Sequence, residues 1–247
     1  MTSRIEISLV APCLNEEDNV EILACRFLTA SDKANVLTEI LFIDDGSTDL
    51  TWKRISELSL RFPGRIRPIR HSTNRGIPQG WITGVEAAEG QLICLIDSDL
   101  QNPPEAVFEL FAALRKCDAD LVRGVRKPVM AQSRSRVIMS RVLNLTLNFI
   151  FKMKSKDNKS GFILGKSDEI KKIVHHSGHY YHYQTFIGVA AHSHGIKSIE
   201  VDTPFEDRRN GISFLSGKSL KVLKEVLKDF PEAQMEFGSR FRKSKEI

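Results

Sequence analysis

The segment Asp97-Ser98-Asp99-Leu100-Gln101 carries the residues best suited to chemistry in this chain. Two carboxylates and an amide fall at alternate positions, directly after an apolar run from Leu92 to Ile96. Alternate residues of an extended chain point the same way. Asp97, Asp99 and Gln101 are therefore expected to converge beyond the end of one buried strand. Their oxygens are hard donors that suit Mg²⁺ or Mn²⁺, and such ions hold diphosphates. Pro103-Pro104-Glu105 follows and predicts a helix start, because proline suits the first helical turn.

Such an ion needs elements that bring further polar groups to it. Ile5 to Val10 reads as a strand. It ends in a polar turn, 11–18, with Asn15 or Asp18 as the N-cap of a helix to about Ala30. Glu39 to Ile43 is a second strand, running into Asp44-Asp45-Gly46-Ser47-Thr48-Asp49 and a helix to about Phe62. Ile66 to Arg70, the loop 71–80 and a helix to about Ala88 complete the approach to Leu92. Strands alternating with helices predict a single α/β domain: a mixed, mainly parallel sheet with helices on both faces. In such sheets ligands bind beyond the carboxyl ends of the strands. Polar, acidic turns around Asn15-Glu16, Asp44-Asp45 and Asp97-Asp99 all fall there. Capping or turn chemistry explains each one alone; their coincidence marks a site. No G-x-G-x-x-G follows the first strand and no G-x-x-x-x-G-K-[ST] occurs, so neither dinucleotide nor P-loop phosphate cradles are expected.

The second half is less regular. A helix is expected from Pro104 to about Lys116, then a strand from Ala119 to Gly124. Ser133 to Met153 reads as a helix with one stripe of Ile138, Val142, Leu145, Phe149 and Met153. Met139, Leu143, Leu147 and Ile150 lie beside it, and Arg134, Arg136, Arg141, Lys152 and Lys154 flank it. This is either a membrane-interface helix or a core helix with basic ends. Residues 159–165 are strand-like. His175, His176, His179 and His182 surround Gly178, which interrupts a helix, and no nearby cysteine completes a zinc set, so packing or substrate contact is their expected role. A strand from Ile196 to Val201 leads to a basic, glycine-containing loop, 203–213, able to clamp a diphosphate. Residues 1–215 form the expected domain, and 216–247 an appended amphipathic helix, Ser219 to Phe230, with a polar tail.

Charge supports a phosphate-rich partner. The 247 residues carry a net +5, and 123–172 hold thirteen Lys/Arg against three Asp/Glu. A lipid phosphate, an anionic membrane, nucleic acid or a merely solvated face would each account for the block. Four dispersed cysteines without a C-x-x-C fit a reducing cytosol. There is no signal-peptide apolar region and no apolar run of about 18 residues, so any membrane contact is expected to be peripheral.

Four stretches together resemble the family 2 inverting glycosyltransferases of GT-A (Rossmann-like) fold. They are Val10-Ala11-Pro12-x-x-Asn15-Glu16-Glu17, Ile43-Asp44-Asp45-Gly46-Ser47-x-Asp49, Asp97-Ser98-Asp99-Leu100-Gln101-Asn102-Pro103-Pro104-Glu105 and Ser160-Gly161-Phe162. Within that family they resemble the branch of dolichyl-phosphate mannosyltransferases and polyprenyl-phosphate sugar transferases. The resemblance implies a UDP- or GDP-sugar donor and Mg²⁺ or Mn²⁺ held by Asp97, Asp99 and Gln101. Asn15, Glu16 and Asp45 would meet the nucleotide, Pro12 would shape the base pocket and Asp44 would support that turn. Arg126 would face the acceptor phosphate, with Arg136 and Ser140 on the acceptor helix. Arg208 and Ser213 belong to a loop closing over the diphosphate. The acceptor implied is a polyprenyl phosphate or a glycan, reached by a peripheral enzyme on the cytoplasmic face of the membrane, with no role for nucleic acid and room for a homo-oligomer. A sugar-hydroxyl acceptor would require a base, for which Glu206 and Asp207 are the candidates. Nucleotidyl transfer and non-catalytic anion binding are the readings from other classes. Departures include Phe214 in place of the loop's lysine, Ile163 after Ser160-Gly161-Phe162, and the sequence of 74–80.

Overall fold

A computed structural model of the chain describes residues 4–126, 134–158, 160–178, 180, 182–206 and 219–238, with the side chains of 134–137, 139 and 219–223 left aside. The first half follows the expected alternation: β1 (Ile7–Cys13), α1 (Val20–Ala34), β2 (Thr38–Asp44), α2 (Thr51–Arg61), β3 (Ile66–Arg70), α3 (Ile77–Ala87) and β4 (Leu92–Leu95). A 3-10 turn at Pro104–Ala106 enters α4 (Val107–Lys116), then come β5 (Leu121–Arg126), α5 (Arg134–Ile150) and β6 (Ile163–Lys166). The chain continues through α6 (Ser167–Val174), α7 (Ile187–Ser193), β7 (Ser198–Thr203) and α8 (Ser219–Gly238).

The sheet order is β3-β2-β1-β4-β6-β5-β7. Only β6 runs antiparallel to its neighbours β4 and β5; the other pairings are parallel. Alternate side chains sort into two layers, as a sheet buried on both faces requires. Leu9, Ala11, Ile40 and Phe42 pack beneath α1, α2 and α4 with Leu23, Phe27, Ile55 and Leu110. Val10, Leu41 and Ile43 pack beneath α3, α6 and α7 with Trp81, Val85, Ile173 and Val189. Helix α3 sits close on β1 because Gly80 and Gly84 lie on its inner face. A Cβ at Gly84 would stand 2.4 Å from Val10 Cγ1, and one at Gly80 2.9 Å from Pro12 Cβ.

Several boundaries move. Helix α1 starts after Asn19, not at Asn15 or Asp18, and no side chain caps it. Asn15 instead takes a left-handed conformation, φ 55°, and binds the neighbouring turn. Helix α8 continues past Phe230 through Pro231 to Gly238. Val226, Ala233 and Phe237 keep its apolar period and bury it against Tyr183 and Phe186, enough to hold the helix across a residue that lacks an N–H. Met153, placed by spacing in the outer stripe of α5, lies beyond that helix and is buried.

Opposite the site, at the amino ends of the strands, Glu39 is completely buried. Its Oε1 accepts from Ser8 Oγ at 2.6 Å and Glu89 N at 2.8 Å, and its Oε2 from Arg67 Nη1 at 2.9 Å. A buried carboxylate requires this saturation.

Candidate active site

The three acidic turns meet at the carboxyl edge of β1, β2 and β4. The turns after β1 and β2 are laced through each other. Asn15 N donates to Ser47 Oγ at 3.0 Å, and Thr48 N donates back to Asn15 Oδ1 at 2.9 Å. Glu16 N donates to Thr51 Oγ1 at 2.8 Å, while the Glu16 carboxylate accepts from Asn19 Nδ2 at 2.5 Å. Pro12 is buried under Gly80 of α3, and its carbonyl accepts from Ser98 Oγ at 2.9 Å, joining the first turn to the third.

Asp44 and Asp45 are adjacent but do different work. Asp44 is fully buried; it accepts from Ser47 N at 3.1 Å and faces Arg70 Nε at 2.9 Å, fixing the turn. Asp45 reaches across to the loop before α3. It accepts from Arg75 N at 2.9 Å, Gly76 N at 2.8 Å and His71 Nδ1 at 2.7 Å. His71 Nε2 continues to Thr83 Oγ1 at 3.0 Å. Gly76 there has φ 86°, a conformation that favours glycine. Asp45 thus shapes the 71–76 wall of the site as well as standing at its edge.

The Asp97–Gln101 segment is not extended, which corrects the geometry expected from strand alternation. Strand β4 stops at Leu95, and Leu100 is left-handed at φ 62°. That conformation costs a non-glycine residue about 1–2 kcal/mol; complete burial of Leu100 offsets it. Gln101 N closes the turn on Asp99 Oδ1 at 3.1 Å. Even so, Ile96, Ser98 and Leu100 are buried while Asp97, Asp99 and Gln101 are partly open. The turn keeps the inside-outside alternation without the strand.

These donors fit Mg²⁺ or Mn²⁺. Asp97 and Asp99 supply hard carboxylate oxygens. Gln101 Nε2 points at the Glu206 carbonyl, 3.5 Å away, so its amide oxygen is the ligand atom it has to offer. Among the described residues no cluster of three His, Cys, Asp or Glu side chains forms a cage. A cation held here would complete its shell with substrate oxygens and water, as Mg²⁺ commonly does.

Sequence reading missed four participants. Gln184 Nε2 donates to Asp97 Oδ1 at 3.3 Å from 87 positions away. Arg26 of α1 binds Glu105 at 2.6 Å and Glu206 at 3.4 Å, tying the segment after β7 to the one after β4. His71 supports Asp45, and Asp157 supports Arg126. Only Gln184 had a signal, the unusual composition of 178–185. Arg126 closes β5. Burial works against its charge, but hydrogen bonds to Asp157 and the pull of Asp157, Asp97 and Asp99 outweigh that and raise its pKa. Its guanidinium also lies over the Phe205 ring, 5.4 Å from the centroid. Ser140 is partly buried on α5. The Arg136 side chain and residues Asp207, Arg208, Arg209, Ser213 and Phe214 lie outside the described set, as does His179. His176 stacks on Tyr183, ring centroids 3.9 Å apart, and His182 contacts Glu225 of α8 at 3.0 Å, so His176 packs against the core and His182 holds the C-terminal helix.

Residues 8–174 match the family model described as Glycosyl transferase family 2. A dolichol-phosphate mannosyltransferase of Pyrococcus furiosus is 34% identical over 122 residues, 49% of this chain and 33% of that protein. An undecaprenyl-phosphate 4-deoxy-4-formamido-L-arabinose transferase of Edwardsiella ictaluri is 28% identical over 207 residues, 84% of this chain and 62% of that one. The chain therefore spans between a third and two thirds of these relatives. Among solved structures, the mannosyltransferase PcManGT of Pyrobaculum calidifontis with GDP-Man and Mn²⁺ superposes with a TM-score of 0.67 at 14% identity, covering 95% of this chain and 66% of that one. The glucosyl-3-phosphoglycerate synthase of Mycobacterium tuberculosis with Mn²⁺ and UDP gives 0.67 at 20% identity, covering 91% and 79%. At these identities the structural likeness is one of fold.

Proposed function

Since the chain belongs to glycosyl transferase family 2, we propose that it moves a sugar, with inversion, from a UDP- or GDP-sugar to a polyprenyl phosphate at a membrane surface. The observation that carries this reading is that Arg126 ends β5, within electrostatic reach of the Asp97 and Asp99 carboxylates in the turn after β4. An acidic pair that could hold a cation and a fixed cation that could hold an anion feel each other's charge, which suits a diphosphate donor meeting a phosphate acceptor. Relatives named for dolichol-phosphate and undecaprenyl-phosphate chemistry support it.

Asp97, Asp99 and Gln101 would hold the divalent ion, which when bound neutralises charge on the departing diphosphate. The turns from β1 and β2, with the 71–76 wall fixed by Asp45, would seat the nucleotide. Arg126 would orient the acceptor phosphate. A phosphate is already anionic and needs little help from a base, whereas a sugar hydroxyl would need one. Glu206, one candidate base, has its carboxylate paired with Arg26. Incubation with UDP- and GDP-sugars, Mn²⁺ and geranylgeranyl phosphate is expected to yield free nucleoside diphosphate and a glycosylated lipid phosphate. Nucleotidyl transfer from the same donors would release a sugar phosphate instead, and absence of any product would sink the enzyme reading.

Membrane contact is proposed through α5. No helix among the described residues is long and apolar enough to cross a bilayer. Yet Ile138, Val142, Leu145 and Phe149, at helical spacing, are 60%, 56%, 66% and 86% exposed. Leu143 and Leu147 on the other side are buried. Arg141, Lys152 and Lys154 are exposed around the stripe, a pattern that fits an anionic lipid surface. Phe149→Glu is expected to cut co-sedimentation with vesicles containing phosphatidylglycerol by about tenfold, since it removes a large apolar group and adds a like charge to the lipid's. Unchanged sedimentation would exclude this face.

A further inference from the structure

Arg126 does not stand at the site unaided. Asp157 grips it side-on, with Nε at 2.7 Å from Oδ2 and Nη2 at 2.9 Å from Oδ1. The short segment that carries Asp157 is fastened on both sides. Before it, Lys156 N donates to both Glu200 oxygens at 3.1 Å, and Ser155 Oγ donates to Glu200 Oε1 at 2.7 Å. Glu200 is itself held by the buried Arg123, its cross-strand neighbour, at 2.6 Å. After it, Asn158 N donates to Asn144 Oδ1 at 2.9 Å, and Asn144 Nδ2 returns to the Ser155 carbonyl at 2.7 Å. One ion pair, Arg123–Glu200, therefore fixes the segment from which a second, Asp157–Arg126, is made.

An arginine side chain loses much rotamer freedom on being fixed, and a bidentate partner supplies the geometry. Asp157 occupies the Nε–Nη2 edge of the guanidinium. The Nη1–Nη2 edge is the other fork that matches two phosphate oxygens, and Asp97 and Asp99 lie near enough to act on the same charge. We infer that Asp157 is the positioning residue for Arg126: it presents the outer fork of the guanidinium to the phosphate of the acceptor, and so sets preference for an anionic acceptor. This rests on the proposed lipid-phosphate reading and adds the residue on which acceptor recognition depends.

Steady-state kinetics with geranylgeranyl phosphate as the varied acceptor test it. Asp157→Asn keeps the shape and loses the charge. It is expected to raise the acceptor KM about tenfold, the scale of one charge-assisted pair, with kcat reduced less than threefold. Asp157→Glu is expected to recover part of the loss. In the Arg126→Ala background, Asp157→Asn is expected to add nothing further, since both act through one contact. An unchanged acceptor KM in folded Asp157→Asn overturns the inference, as does a loss confined to thermal stability. If the wild-type protein glycosylates no prenyl phosphate with any donor, the functional reading fails. Calorimetric binding of geranylgeranyl phosphate then decides the inference: weaker binding by Asp157→Asn than by wild type upholds it, and equal or no binding overturns it.

Discussion

Asp99→Ala is expected to lower kcat for sugar transfer by about a thousandfold or more, the scale of losing a main electrostatic stabiliser of the departing group. Two functions meet on this carboxylate. It would offer oxygens to a divalent ion, and its Oδ1 closes the turn on Gln101 N at 3.1 Å. Asp99→Asn separates them, because an amide oxygen still accepts that hydrogen bond while the negative charge is gone. Asn is therefore expected to keep the melting temperature of the wild type and still lose transfer. The same loss should follow from EDTA and be reversed by Mn²⁺ in the wild type, but not in either variant. Transfer that survives in Asp99→Asn would remove the ion from Asp97–Gln101 and leave those residues a purely structural turn.

The second large effect concerns stability at the far edge of the sheet. Glu39→Ala is expected to reduce unfolding free energy by about 3 kcal/mol, the lower end for breaking a buried charged pair. Arg67 is partly exposed and regains water. Ser8 Oγ is fully buried and does not; it is left without its acceptor, while the amide of Glu89 loses a hydrogen bond. Urea denaturation followed by circular dichroism measures this, with the slope unchanged and the midpoint lowered. The strand ends carrying Asp44 and Asp97 are at the other edge, so kcat per folded molecule should hold. A midpoint within error of the wild type would mean that solvent reaches Glu39.

The three strand-end turns were legible because each combines an apolar strand with a polar break, and the β-α rhythm places successive breaks on one edge. The division of labour between Asp44 and Asp45 was not: adjacent aspartates look alike until one is seen to face inward and the other to hold the 71–76 loop. The direction of β6 was hidden as well, since a four-residue strand carries no sign of which way it runs. On α5 the period was visible, but two apolar stripes side by side do not say which faces the core. Burial of Leu143 and Leu147 decides it. Gln184, Arg26 and Asp157 come to the site from distant positions through tertiary packing, so spacing could not announce them.

Strand β6 has a consequence for how such a chain can be altered. It returns antiparallel alongside β5, with Arg123 opposite Ile163 and Gly124 N bonded to the Phe162 carbonyl at 2.9 Å. The pair is a hairpin whose turn has been replaced by residues 127–159. That insert leaves and re-enters the sheet at one edge, so changes that keep its core residues Leu143, Leu147, Phe151 and Met153 and its ties to Glu200 and Arg126 need not shift the register of any strand. A chimera that exchanges 127–159 for the matching stretch of a relative should keep its donor and fold, and take its acceptor from the graft.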